Sequence, residues 1–202
     1  MVTAPKRGIL GGTFNPIHIG HLLAAEEVLS ALRLDEVFFV PAGDPWMRAG
    51  EALASKEDRW EMVVRATRSN LRFLPSRMEI DRPGASYTVD TLAELQATKP
   101  GAYYCILGVD ALAALHQWRE PGLLVNLCRI AVVTRPGYDI QSVLAALIAE
   151  LPALAGHLDI VDGVDIGVSA TDIRRRVHDG KSIKYRVPEA VESYIMERGL
   201  YK

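Results

Sequence analysis

The stretch Gly8-Ile9-Leu10-Gly11-Gly12-Thr13-Phe14-Asn15-Pro16-Ile17-His18-Ile19-Gly20-His21 decides how this chain folds. Gly8–Leu10 is a short apolar run of the kind that makes a buried strand. Gly11-Gly12 then permits close backbone approach and unusual dihedrals. Pro16 stiffens the turn, and a helix opens near Ile19 or Gly20. The start of that helix offers unpaired N–H groups and a partial positive charge, which suits a phosphate. His18 and His21 are three residues apart, so they lie on one side of the helix start and can donate to the same anion. A histidine pair at this spacing is also a candidate metal site, but no acidic or cysteine ligand stands at a matching local spacing. A Gly-Gly turn or a lone histidine would be ordinary structure; the whole string reads as a phosphate-handling segment.

Outward from this segment, short apolar runs alternate with longer periodic ones. Strands are expected at Gly8–Leu10, Glu36–Val40, Arg72–Ile80, Ala102–Leu107, Arg129–Val133 and Leu158–Val161. Helices are expected at Gly20–Arg33, Lys56–Ser69, Val89–Ala97, Ala111–His116, Ile140–Glu150, Ala170–His178 and Pro188–Glu197. In the first helix Leu22, Ala25, Leu29 and Leu32 form one buried face, with Glu26 and Glu27 pointing elsewhere. Strand then helix, repeated, predicts an α/β fold: a Rossmann-like, doubly wound parallel sheet covered on both faces. Pro41–Ser55 is long for a connection and reads as a lid or binding loop. No linker interrupts the chain, so 1–202 is expected to be one domain, with a helical segment from about Ser169 packed on it.

The bulk properties narrow the function. The chain has 202 residues, 49% hydrophobic and 24% charged, with a net charge of −2. Such a balance gives no global field for nucleic acid or an anionic membrane, so an anionic substrate must be held by local groups. No apolar stretch approaches the ~20 residues of a membrane span, and Lys6-Arg7 leads into a strand without the apolar core of a signal peptide. Cys105 and Cys128 lie in separate apolar runs and read as buried thiols of a cytoplasmic protein. Oligomeric state stays open, a homo-oligomer included.

A second segment, Val168-Ser169-Ala170-Thr171-Asp172-Ile173-Arg174-Arg175-Arg176, carries a helix start in which Ser169 is the N-cap and Asp172 is placed to close a capping box. The same start, with the Thr171 hydroxyl and Arg174 one turn on, is an anion site. Arg175 and Arg176 point to other faces and read as solvated or paired. Gly180-Lys181-Ser182 mimics the end of a Walker A loop, but Arg175 stands where its first glycine is required.

His18-Ile19-Gly20-His21 spells the HIGH signature of class I aminoacyl-tRNA synthetases and their nucleotidyltransferase relatives. The fuller G-G-T-F-N-P-x-H-x-G-H string resembles the bacterial nicotinate-nucleotide adenylyltransferase family, within the HxGH nucleotidyltransferase superfamily. Ser169, Thr171 and Arg174 match that family's I-S-S-T-x-x-R, with Ala170 for its second serine. Ser86-Tyr87-Thr88-Val89-Asp90-Thr91-Leu92 resembles S-Y-T-x-x-T-L, Gly108-Val109-Asp110-Ala111-Leu112 resembles G-x-D-x-L, and Trp118-Arg119 matches a W-x position. Arg135-Pro136-Gly137-Tyr138 and Gly199-Leu200-Tyr201 resemble its R-P-G-Y and G-L-Y segments, so the likeness runs nearly the whole chain.

The resemblance implies AMP transfer from ATP to nicotinate mononucleotide, with Mg²⁺ carried on the triphosphate and no metal bound by the protein itself. In it His18, His21 and Arg174 are catalytic, and Gly11, Gly12, Thr13, Phe14, Gly108, Ser169, Thr171 and Arg48 bind ATP. Thr88, Asp110, Trp118 and Arg119 bind the mononucleotide: Asp110 at the ribose hydroxyls, Trp118 stacked on the pyridine ring, and backbone donors near Thr88 and Arg119 at the carboxylate. Plainer readings stand beside these, with Thr88 and Asp110 as helix caps and Trp118 as core. Many members have Asp where this chain has Asn15; an ionised phosphate acceptor needs no general base, and Asn15 is given no such role. Arg48 replaces the lysine of the family's P-P-H-K, as a planar fork rather than a point charge. Two rivals remain in the sequence, a relative using phosphopantetheine or nicotinamide mononucleotide as acceptor and a regulatory module that binds ATP without chemistry.

Overall fold

Continuous burial along a strand means cover on both faces, and Ile9, Val37–Val40, Tyr103–Leu107 and Ile130–Val132 are all buried. A computed structural model of the chain describes residues 4–48, 50–134, 139–164 and 166–202. Six strands, β1 (Lys6–Gly12), β2 (Glu36–Pro41), β3 (Phe73–Pro75), β4 (Ala102–Gly108), β5 (Arg129–Thr134) and β6 (Leu158–Asp162), form one sheet in the order β3-β2-β1-β4-β5-β6. Lys6–Ile9 pair in parallel with Ala102–Cys105, Tyr104–Gly108 with Arg129–Val133, and Ile130–Thr134 with Leu158–Asp162. Strand order reverses between β1 and β4, and in open sheets ligands bind beyond the carboxyl ends at such a point. Those ends are Gly11-Gly12 and Gly108. The α/β, Rossmann-like expectation therefore holds.

The helices are α1 (Ile19–Ala31), α2 (Lys56–Thr67), α3 (Met78–Asp81), α4 (Thr88–Thr98), α5 (Val109–Ala113), α6 (Pro121–Leu127), α7 (Ile140–Glu150), α8 (Ala170–His178) and α9 (Glu189–Arg198). α7 and α8 have the bounds expected from sequence. In α1 the fully buried residues are Ala25, Val28 and Leu29, while Leu22 and Leu32 are half-buried, so the inward stripe is turned from the expected one. Arg72–Ile80 is not one strand. Pro75 has no N–H to continue a ladder; β3 stops there, and Met78–Asp81 buries Ile80 from a helical turn instead. α5 is shorter than Ala111–His116, giving way to a 3-10 turn over Leu115–Gln117, and α6 is an additional helix opened by Pro121.

The contacts gather the chain into two compact units, each drawn from three segments. One comprises Met1–Gly11, Ala24–Phe38 and Tyr87–Asp165; the other comprises Gly12–Leu23, Phe39–Ser86 and Ile166–Lys202. The first holds the β4–β6 strands with α4–α7 and the apolar layers between them. Within it Arg7 fastens the start of β1 to the Glu36 carboxylate at 2.6 Å and to the Pro100 carbonyl at 2.9 Å. The second holds the His18–His21 segment, the Pro41–Ser55 loop, α2, α3, α8 and α9. Its close packing is visible at Gly43, where a Cβ would lie 2.0 Å from the Glu79 carbonyl oxygen, so only glycine fits. Cys105 and Cys128 are free and buried, and among the described residues no helix is long and apolar enough to cross a membrane.

Candidate active site

In the second unit the chain leaves β1 through a loop whose shape is held from beneath by Arg59 of α2. Arg59 is only 2% exposed. It donates to the Thr13 carbonyl at 2.9 Å, Ala42 at 2.6 Å, Gly43 at 3.1 Å and Ala54 at 3.2 Å. All four acceptors are backbone oxygens, so among the described residues peptide dipoles meet this charge; burial pulls its pKa below the usual value. A signal for this residue was present in sequence: Arg59 shares the i, i+3, i+4, i+7 face of the buried Met62, Val63 and Ala66, where an arginine does not belong unless it has a buried task.

Phe14 is buried with φ of 49°, and its ring meets the His21 imidazole edge-on at 5.1 Å. The peptide bond between Asn15 and Pro16 is cis. His18 and His21 stack with ring centroids 3.7 Å apart. The His18 backbone N–H donates to His21 Nδ1 at 3.1 Å. This bond leaves the His21 proton on Nε2 and fixes that nitrogen as a donor. Burial pushes the His18 pKa down to about 4, and burial followed by the nearness of His18 pushes that of His21 well below its ordinary value. Both rings are therefore neutral donors. His18 Nδ1 is a buried atom without a hydrogen-bond partner among the described residues.

The backbone at the start of α1 is partly occupied. The Ile19 N–H donates to the Arg186 carbonyl at 3.0 Å, and the His21 N–H to the His18 carbonyl at 3.0 Å. The open helix start expected from sequence is thus narrowed, and the imidazoles are the more available donors. In α8, Ser169 accepts the Asp172 N–H at 3.1 Å and caps the helix. Asp172 does not close a capping box; its carboxylate binds Arg175 at 2.6 Å and Arg186 at 3.4 Å. Arg176 donates to the Ser182 carbonyl. Arg174 takes a different course. It donates to the Asn15 carbonyl at 2.8 Å and reaches the Thr171 hydroxyl at 3.4 Å. The two segments that the sequence marks as candidate phosphate sites, 159 residues apart from Asn15 to Arg174, meet at this bond.

Gly12 lies close to Phe14, where an added Cβ would be 3.3 Å from its ring, whereas a Cβ at Gly11 would meet nothing within 4 Å. Arg48 closes a 3-10 turn in the long loop and pairs with Glu51 at 3.0 Å on the surface. Within the first unit, Gly108 occupies the N-cap position of α5 and Asp110 its first turn; no side chain caps that helix, so Asp110 is not its cap. Thr88 is the first residue of α4, behind Tyr87 at the N-cap position, and so is not the cap either. Arg119 lies over the Tyr87 ring at 4.7 Å and meets Asp90 at 3.5 Å, which ties the Trp118-Arg119 turn to the start of α4 beside Thr88. Trp118 is half-buried, with an indole N–H that has no partner among the described residues. The Arg135–Tyr138 segment lies outside the described residues.

The cytidylyltransferase-like family pattern matches residues 9–176. A protein of Roseiflexus sp. is 48% identical over 202 residues, covering 100% of both chains, and one of Mycolicibacterium vanbaalenii is 45% identical over 199 residues, covering 98% of this chain and 92% of its own. Each carries the name "Probable nicotinate-nucleotide adenylyltransferase". Among solved structures, the Plasmodium falciparum nicotinic acid mononucleotide adenylyltransferase complexed with NaAD superposes with a TM-score of 0.79, covering 98% of this chain and 97% of its own. Its complex with APC gives 0.77 over the same shares. At 18% and 17% identity these two share the fold.

Proposed function

The chain belongs to the nicotinate-nucleotide adenylyltransferases of the cytidylyltransferase-like family, and on that premise we propose that the Asn15-centred cluster is where it handles ATP. The enzyme transfers AMP from ATP to nicotinate mononucleotide, releasing nicotinate adenine dinucleotide and pyrophosphate, a step of NAD biosynthesis. The observation carrying the residue assignment is the Arg174 bond to Asn15, which gathers a guanidinium and two neutral imidazole donors around one loop.

In this mechanism an oxygen of the mononucleotide phosphate attacks the α-phosphorus in line, and the bond to the β-phosphate oxygen breaks. Negative charge accumulates on the departing pyrophosphate. Phosphoryl chemistry of this kind rests on positioning and electrostatics rather than on a protein nucleophile. His21 Nε2–H and the His18 ring donate to the phosphates, and Arg174 balances charge on the leaving group. Gly11, Gly12, Thr13 and Phe14 bring backbone close to the nucleotide, with Ser169, Thr171, Gly108 and Arg48 as further ATP contacts. On the acceptor side, Asp110 accepts from ribose hydroxyls, Trp118 stacks on the pyridine ring, and Thr88 and Arg119 lie beside the backbone donors for its carboxylate. Among the described residues no three His, Cys, Asp or Glu side chains form a metal cluster. We propose that Mg²⁺ arrives on the triphosphate, whose oxygens are the hard donors this ion prefers and where it would neutralise phosphate charge. We assign the whole chain to one domain, because neither compact unit is a continuous segment, and to the cytoplasm, because both buried cysteines are free thiols.

A pyrophosphate-release assay over three acceptors tests the reading. Nicotinate mononucleotide is expected to give the highest kcat/KM, above nicotinamide mononucleotide and 4′-phosphopantetheine. A clear preference for phosphopantetheine would sink it.

The two histidines also make stability depend on pH. Below their ordinary pKa of 6.5 the unfolded chain takes up protons that folded His18 refuses down to about 4. Stability present above pH 6.5 is therefore lost as pH falls toward 4, by about 3 kcal/mol for His18 alone. The midpoint of urea unfolding is expected to fall across that window, and to fall less in His18→Gln. Equal slopes in the two proteins would contradict the assignment of His18 as buried and neutral.

A further inference from the structure

Asn15 is 4% exposed and accepts three hydrogen bonds, none of which its sequence position gives reason to expect. Its side-chain Oδ1 takes the Ala54 N–H at 3.1 Å and the Tyr201 hydroxyl at 2.8 Å. Its backbone carbonyl takes Arg174 Nη1 at 2.8 Å. The amide orientation follows from chemistry, since the Ala54 N–H can only donate and must face the oxygen. Nδ2 is thereby turned the other way, buried and without a partner among the described residues. Tyr201 is held in the left-handed region, φ 65°, uncommon for a residue with a side chain. Burial raises the pKa of its hydroxyl, which stays a protonated donor.

From this geometry we propose that Tyr201 is a positioning residue of adenylyl transfer, which grips the Asn15 amide and so fixes the carbonyl on which Arg174 rests. The proposal rests on the reading of Arg174 as a phosphate-binding group. An arginine side chain has several rotatable bonds, and ordering it is entropically unfavourable. A guanidinium already tied by Nη1 to a fixed carbonyl and by Nη2 to the Thr171 hydroxyl meets the triphosphate with that ordering done, and it keeps further N–H groups to donate. The carbonyl serves this purpose only if Asn15 cannot rotate. The three contacts hold it at both ends: main chain by Arg174, side chain by Ala54 and Tyr201. Neither Ala54 nor Tyr201 needs to touch substrate.

The test is a double-mutant cycle of Tyr201→Phe and Arg174→Ala, read by steady-state pyrophosphate release with ATP and nicotinate mononucleotide varied separately. Tyr201→Phe removes one hydroxyl and keeps the ring. It is expected to lower kcat/KM for ATP about tenfold. KM for nicotinate mononucleotide should stay within about twofold and the melting temperature within a few degrees. In the Arg174→Ala background the same change should alter kcat/KM by less than about twofold, because the group it positions is gone. An equal loss in both backgrounds would show a structural role independent of Arg174 and overturn the proposal. So would an unchanged ATP profile for Tyr201→Phe in the otherwise native enzyme. If Arg174→Ala itself turns over normally, the phosphate role of Arg174 fails and the proposal falls with it, a result distinct from an impaired Arg174→Ala beside an unimpaired Tyr201→Phe.

Discussion

His21→Ala is expected to lower kcat by roughly 10²–10³-fold, the range for removing one preorganised donor to transition-state charge. Three contacts meet on this ring. Nδ1 receives the His18 N–H, one face stacks on His18 at 3.7 Å, and another side meets the edge of Phe14. The first contact sets the tautomer, and the other two set the direction of Nε2–H. Removing the ring therefore deletes a donor and frees its neighbour as well. His18→Ala should act in the same direction. Because charge on the bridging oxygen grows only as pyrophosphate leaves, the loss should appear mainly in kcat, with KM for ATP changed less. The fold should survive, since neither ring lies in the sheet core. Steady-state turnover with a melting curve checks both halves. Near-normal turnover in both alanine variants would remove these residues from the mechanism.

Arg59→Met should be strongly destabilising, by about 3–5 kcal/mol. Two effects oppose each other. Methionine relieves the desolvation of a buried charge, which favours the variant. It also leaves the Thr13, Ala42, Gly43 and Ala54 carbonyls facing an apolar side chain, each unfavourable by about 1–3 kcal/mol unless water enters. Four such losses outweigh one relief. Arg59→Lys should fall between, because the charge remains but one ammonium has three donors and no planar fork. Urea denaturation of the three proteins gives the order directly. A Met variant as stable as the native chain would mean that the dipoles around Arg59 do not need it.

Local rules made much of the fold legible. Alternating runs pointed to the parallel sheet, and the Ile140–Glu150 and Ala170–His178 periodicities carried their own boundaries, each opened by a side-chain cap at Asp139 or Ser169. Where one residue type has two uses, those rules failed. Phe73 and Ile80 are both buried, so the run between them looks like one strand, and only Pro75 betrays the break. Leu22 and Leu32 are apolar at the right spacing yet only half-buried, because packing rather than periodicity chooses the inward side. The site divides in the same way. The His18–His21 string and the Ser169–Arg174 helix start were visible separately. Their meeting through Asn15, and the use of Tyr201 and Arg59 to hold it, are facts of three-dimensional closure that no local spacing encodes.

The strand order has a consequence for how the molecule comes into being. β1 is made well before β4, yet it ends up inside the sheet, and its Lys6–Ile9 ladder waits for Ala102–Cys105. Closing that pairing means ordering a loop of roughly a hundred residues, an entropic penalty that grows slowly with length but must be met before the contacts reward it. Until β4 has been synthesised, the Ile9 and Leu10 side chains and one free edge of β1 have no β4 to cover them. A nascent chain halted between β2 and β4 would therefore present an open, apolar strand edge, the state in which this protein is most prone to aggregate.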